Sequence, residues 1–199
     1  MKKTYFMNTF NLNLRLILFS ALTFVIKLLL DFLNASFEKS NFLPLLKLGN
    51  YISSASSFIF ELSIGLFSTV IFLVAFELIK RFRSDSLANY FKSIKQTLTL
   101  RRFMGQSERS EKIADGQKIT AFNPINDRFN RSVRKACIDV TANEILVFIK
   151  VPRTQQTQKI LKELEAQIKE EISAQNPEYI FSNFERHHNQ LWLQGTKRK

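Results

Sequence analysis

Ser57–Asp85 reads SFIFELSIGLFSTVIFLVAFELIKRFRSD. About two dozen mostly apolar residues, rising 1.5 Å each, reach across a hydrocarbon core about 30 Å thick. The run ends abruptly in Lys80, Arg81 and Arg83, and basic side chains beside a span favour the cytoplasmic side of a membrane. The stretch therefore predicts a transmembrane helix over residues 57–79, stopped at an inner surface. Every other segment takes its place from that stop. The residues before it read as a partner span, and those after it as a basic tether and a small soluble domain.

Residues 1–15 carry Lys2, Lys3 and Arg15 and no acidic side chain, the flank of a helix held on the cytoplasmic side. Residues 16–33, LILFSALTFVIKLLLDFL, form the first span, interrupted only by Lys27 and Asp31. A cleavable signal peptide shares the charged start and the apolar centre. Here the apolar run is long, Asp31 stands just before any Asn34-Ala35-Ser36 cleavage site, and a second span comes after it, so a retained anchor is expected. Lys27 and Asp31 are four apart, share a helix face and can neutralise each other. Glu61 enters the second span near the same outer side. Either all three sit at the outer ends, where long side chains snorkel and carboxylates meet water, or Lys27 pairs with Glu61 and locks the hairpin. Residues 34–56, with Pro44 and Gly49, read as an external loop partly held in the interface through Phe42, Leu43, Leu45 and Leu46. The expected topology is an antiparallel hairpin with both termini cytoplasmic, in which Gly65 and Ser68 allow close helix approach.

The net charge of +12 is unevenly spread. Residues 80–135 hold fourteen basic and five acidic side chains, whereas residues 136–199 hold nine and eight, so the excess lies just after the second span. Lys80, Arg81, Arg83, Lys92, Lys95, Arg101 and Arg102 are the candidate contacts to an anionic surface, either lipid headgroups or nucleic-acid phosphates. Charge alone does not choose between them, and a solvated flank obeying the same topological rule is the plainer alternative. Leu87, Tyr90, Phe91, Ile94, Leu98 and Leu100 recur at mainly helical spacing. They predict a basic helix that lies on the inner membrane surface or packs on the soluble domain. Residues 105–118, polar and with two glycines, are the expected linker, so 80–118 is a basic juxtamembrane helix and linker.

Residues 119–199 read as a ββαββ domain. Val133–Val140 and Glu144–Val151 are strands, with Ala136, Ile138 and Val140 on one face of the first and Ile145, Val147, Ile149 and Val151 on one face of the second. Thr141-Ala142-Asn143 joins them as a tight hairpin. Thr154 caps a helix whose Ile160, Leu161, Leu164, Ile168 and Ile172 form one stripe, and Asn176-Pro177 stops it. Strands over Tyr179–Phe184 and Leu191–Gln194 complete one four-stranded sheet with a helix on one face. So small a domain has a marginal core, which makes the open sheet face or an edge the expected place for a partner.

Catalytic chemistry is sparse. The five glycines make no phosphate loop. His187 and His188 lie in the turn expected at 185–190; consecutive strand residues point to opposite faces, so the pair is no metal clamp unless the turn bends them together. Cys137, the single cysteine, excludes an internal disulfide framework and fits a reducing compartment. Phe148, Phe181 and Trp192 stand on strands that could stack bases, but the ribonucleoprotein motif is missing. The expectation is a chain that is not an enzyme, with no catalytic residue, cofactor or metal assigned.

The order of parts carries a resemblance: two N-terminal spans, the Lys80-Arg81-Phe82-Arg83 stop, a basic helix, and the strand EILVFIKVP leading to a charged helix. It resembles the N-terminal membrane and adaptor region of FtsK/SpoIIIE-like (TcpA-type) coupling ATPases of Gram-positive conjugative elements. The similarity covers most of the chain and stops at Lys199, where the family's motor would begin. The resemblance implies a membrane-anchored scaffold or regulator in plasmid DNA transfer, in the bacterial cytoplasmic membrane. Its implied partners are membrane lipids, further copies of the chain, a transfer protein or motor ATPase, and DNA bound without sequence preference. Two readings from other classes stand beside it: a small membrane immunity or toxin-resistance protein, and an enzyme or sensor using His187 and Cys137.

Overall fold

A computed structural model describes residues 1–38, 42–114 and 117–198. The protein is α+β, with two long apolar N-terminal helices and a small antiparallel sheet. It divides into two compact units, a helical one of Asn8–Ile79 and a sheet unit of Met1–Met7 with Lys80–Lys199.

The long helices are α1 (Tyr5–Glu38) and α2 (Leu43–Ser84). Both outrun the spans expected at 16–33 and 57–79, and most of the supposed external loop at 34–56 is helical. The two residues that suggested a loop are accommodated for physical reasons. Pro44 is the second residue of α2, where a helix has no use for the missing N–H. Gly49 is a close-approach position: a Cβ there would stand 3.1 Å from Asn34 Oδ1 and 3.7 Å from Phe37 Cβ. Gly65, expected to have this role, has no described neighbour within 4 Å of such a Cβ. Instead Ser20 and Ser63, both buried, join the helices reciprocally. Ser20 Oγ donates to the Ser63 carbonyl at 3.1 Å and Ser63 Oγ to the Ser20 carbonyl at 3.0 Å, the small-polar packing that suits helices lacking a hydrophobic drive to associate.

The sheet unit opens with α3 (Leu87–Met104), capped by Ser86, whose hydroxyl accepts from Ala88 N. The expected linker at 105–118 holds β1 (Arg109–Ala114) and the start of β2 (Gln117–Phe122), which pair as an antiparallel hairpin that runs on into the expected domain. Next comes α4 (Pro124–Val133). Asn123 Oδ1 accepts from Ile125 N and Asn126 N, and proline occupies the first turn. Val133 thus ends a helix, and the strand expected to start there begins at Cys137.

The main sheet contains β3 (Cys137–Val140), β4 (Glu144–Lys150), β5 (Tyr179–Phe181), β6 (Glu185–His187) and β7 (Gln190–Lys197), with α5 (Gln155–Gln175) between β4 and β5. Strand order is β3-β4-β7-β5, and β6 also pairs with β7; every described pairing is antiparallel. The expected ββαββ unit is therefore ββαβββ. The strand expected over Tyr179–Phe184 stops at Phe181, and part of the expected turn at 185–190 forms β6 against the start of β7.

Ala136, Ile138, Val140, Ile145, Val147, Ile149 and Val151 form one buried face, as their alternation requires. Leu161, Ile168 and Ile172 of α5 cover it, with Leu100 and Met104 of α3 and Phe129 of α4. The opposite face was expected to be open. Instead Cys137, Asp139, Phe148 and Trp192 are all buried there. Phe148 and Trp192 meet edge to face at 5.1 Å, and Lys3 Nζ lies 3.8 Å above the Phe148 ring. Trp192 is core, and these two aromatics offer no platform for stacked bases.

Gly195 of β7 is required by its neighbour, because a Cβ there would stand 2.6 Å from a Phe181 ring carbon. Gly195→Ala is expected to destabilise the sheet unit by about 1–3 kcal/mol through overpacking, read as a lower denaturant midpoint. An unchanged midpoint would mean that Phe181 is not held in place.

Candidate functional site

Four residues of a helix rise about 6 Å and two residues of a strand about 6.8 Å, so side chains at i, i+4 and i+8 of a helix can follow every second residue of an edge strand. Ser93, Thr97 and Arg101 of α3 do this along β3. Ser93 Oγ accepts from Val140 N at 2.9 Å. Thr97 Oγ1 accepts from Ile138 N at 2.9 Å and donates to the Ile138 carbonyl at 3.1 Å, using both capacities of a hydroxyl. Arg101 Nε donates to the Ala136 carbonyl at 2.8 Å. Arg81 Nη1, from the last turn of α2, takes the Val140 carbonyl at 2.9 Å. A sheet edge was one of the places expected for a partner, and the edge along β3 is closed.

Arg81 and Arg101 were expected at a membrane or nucleic-acid surface, and both are drawn inward. Arg81 is 4% exposed, ion-paired with the buried Asp139, and lies about 5.7 Å from the ring of Tyr90 and 5.6 Å from that of Phe6. Asp85 extends this network, accepting from Asn89 Nδ2 at 2.7 Å and from Ala142 N at 2.9 Å. Arg101 also donates to Cys137 Sγ at 3.4 Å. Burial pulls the Arg101 pKa below its ordinary value, against the favourable influence of Cys137. Lys80, Arg83, Lys95 and Arg102 remain exposed, while Lys92 is half-buried with its Nζ 5.9 Å from the Tyr179 ring centre.

Because the hydroxyl face of α3 turns inward, much of its apolar stripe turns out. Leu87, Phe91 and Leu98 are 40%, 65% and 50% exposed, on the side that carries Lys95 and Arg102. Tyr90 and Leu100 go inward. Sequence reasoning followed the apolar residues and missed Ser93 and Thr97; the available signal was their own four-residue spacing.

In the helical unit, Lys27 Nζ and Asp31 Oδ2 are 2.5 Å apart, Ser56 donates to Asp31, and Lys27 lies 5.3 Å from the Phe60 ring centre. Glu61 faces outward, away from the pairing with Lys27 that would have locked the hairpin. His187 and His188 are exposed. His187 Nε2 lies 3.4 Å from Glu185 Oε2, and His188 has a left-handed backbone with φ 55°. Among the described residues no three His, Cys, Asp or Glu side chains are placed to share a metal ion. Compared with protein-family models, curated proteins and solved structures, the chain matches none of them.

Removing one partner of a buried ion pair strands the other charge at a cost of about 3–5 kcal/mol. Arg81→Ala is expected to show that loss in denaturant unfolding, and Arg81→Met with Asp139→Leu to recover most of it. Equal losses in the single and the double variant would contradict the pairing.

Proposed function

We propose that the chain is a non-enzymatic membrane-anchored scaffold or regulator. Its two apolar helices cross the bacterial cytoplasmic membrane as a hairpin, and its sheet unit serves a partner at the cytoplasmic face. The observation that carries this reading is the outward direction of the apolar side chains. Leu18, Phe32, Phe58 and Phe72 are 69%, 73%, 68% and 70% exposed on helices whose most apolar stretches have mean hydropathy 2.3. A core helix buries such residues; an exposed apolar belt of this size calls for lipid or a partner.

The cations agree in sign. Lys80 and Arg83 stand just after the second apolar run, Lys2 and Lys3 precede the first, and the outer face of α3 adds Lys95 and Arg102 among Leu87, Phe91 and Leu98. This composition suits the anionic inner leaflet, with the apolar side chains in the interface and the basic ones at headgroups. The role in DNA transfer rests on the order of parts that resembles conjugative coupling proteins, and it supplies the partners of the proposal: further copies of the chain and a transfer protein or motor ATPase.

Two experiments test the two halves. With cysteine introduced by Leu43→Cys or Arg153→Cys, an impermeant maleimide added to intact cells is expected to label position 43 and to reach 153 only after permeabilisation. The reverse pattern would overturn the topology. Purification from mildly solubilised membranes of a conjugative host is expected to recover a P-loop motor ATPase, and recovery of neither a motor, another transfer protein nor DNA would count against the transfer role.

A further inference from the structure

A cavity of about 360 Å³ opens between α4 and the start of α5. Five cations line it: Arg128 and Arg131 of α4, Lys135 after it, Lys150 at the end of β4, and Arg153 just before α5. No carboxylate among the described residues lines it; Asp127 lies near, holding Arg131 Nη2 at 2.6 Å from its Oδ2. A second cavity of about 170 Å³ shares Lys150, Val151 and Arg153 with the first and adds Lys3.

The surroundings sharpen this excess of positive charge. The 21-residue α5 begins at the first cavity with no acidic side chain in its first turn. Its N-cap residue, Thr154, makes no capping hydrogen bond, and its hydroxyl meets Thr157 Oγ1 at 2.7 Å instead. The positive end of a helix dipole thus adds to Arg128, Lys150 and Arg153, beside an Arg131 paired with Asp127 and a Lys135 that has an interaction of its own. Burial pulls the Lys3 pKa down, Cys137 opposes that shift, and the repulsion of Lys150 adds to it. Like charges gathered in a concavity repel one another unless an anion occupies it.

We propose that the two cavities, which share Lys150, Val151 and Arg153, bind consecutive phosphates of a nucleic-acid strand through its backbone. Concavity argues against a bilayer as the occupant, because the apolar residues of the wall, Val151 and Pro152, are buried and cannot insert. Two lobes with a common cationic wall suit a repeating anion. Base recognition is not built in: Phe148, beside the second lobe, is 3% exposed beneath Lys3. Contacts of this kind position a strand without reading it. The site draws Arg128, Arg131 and Lys135 from residues 80–135, which hold the excess of positive charge, and joins them to Lys150 and Arg153 of the nearly neutral residues 136–199.

Such a strand is the anionic partner of the scaffold reading, yet its site stands on the sheet unit alone. The test uses the full chain in nanodiscs of neutral lipid and a fluorescein-labelled 20-nucleotide single strand, with anisotropy followed over a sodium chloride series. Arg128→Ala with Lys150→Ala and Arg153→Ala is expected to weaken binding at least tenfold. It should also flatten the slope of log affinity against log salt by about 0.7 for each phosphate no longer neutralised. Lys159→Ala with Lys162→Ala, which removes two cations outside both cavities, is expected to change neither. Arg153→Glu, a single exposed charge reversal, gives the same readout if the triple variant does not fold. Wild-type slope and affinity in the cavity variants, or equal losses in the control, would overturn the proposal. So would displacement of the strand by pyrophosphate at far lower concentration than by unlabelled strand, or by anionic vesicles as readily as by that strand. Any of these results leaves the membrane topology standing, and failure to co-purify a transfer protein leaves the phosphate site standing.

Discussion

The sheet unit depends on the fit between a helix repeat and a strand repeat along the outer edge of β3. Left open, that edge would present the N–H of Ile138 and Val140 and the carbonyls of Ala136, Ile138 and Val140 in one row, a template for another chain. Each of these five groups instead has a side-chain partner from Arg81, Ser93, Thr97 or Arg101. Each bond contributes only about 1 kcal/mol net, but a buried backbone group left unmade costs about 1–3 kcal/mol. The constraint is therefore stronger than the attraction: once α3 covers β3, its polar side chains have to meet the strand.

This requirement orients the rest. A helix that commits its hydroxyl face to a strand edge has to turn part of its apolar stripe outward, which is why Leu87, Phe91 and Leu98 are exposed beside Lys95 and Arg102. Arg81 shows the same logic at the end of the apolar run. Its place in the sequence is that of a membrane stop charge, yet its guanidinium is spent on Asp139 and the Val140 carbonyl. The basic segment is thus partly a structural joint. Among the described surface cations, Lys95 and Arg102 stand on the exposed side of α3, and Arg128, Arg131 and Lys135 around the cavity between α4 and α5.

Sequence patterns revealed elements whose physics is local. The apolar length of α1 and α2, the alternation over Ala136–Val151, and the stripe and stop of α5 were all legible because burial repeats at fixed periods. Features that depend on distant partners were not. The tilt of α3 was hidden because apolar residues lie on both of its faces, and the β1–β2 hairpin because its composition is polar. Burial of the second sheet face was obscured by the mixed set Cys137, Asp139, Phe148 and Trp192, which does not read as a core face. The cationic cavity was invisible because its basic residues are scattered between positions 3 and 153 and meet only in the fold. Gly49 was misread as loop punctuation because a glycine that admits a neighbouring helix looks the same in sequence as one that ends a helix.

The central claim, that α3 seals the edge of β3, is tested most directly by native-state amide hydrogen exchange at Ile138 and Val140. Sealed by the Thr97 and Ser93 hydroxyls, these two outward-facing amides are expected to exchange within about tenfold of the amides inside β4, opening only with the whole sheet unit. Exchange near the rate of an unprotected edge strand, while the β4 amides stay protected, would contradict the account.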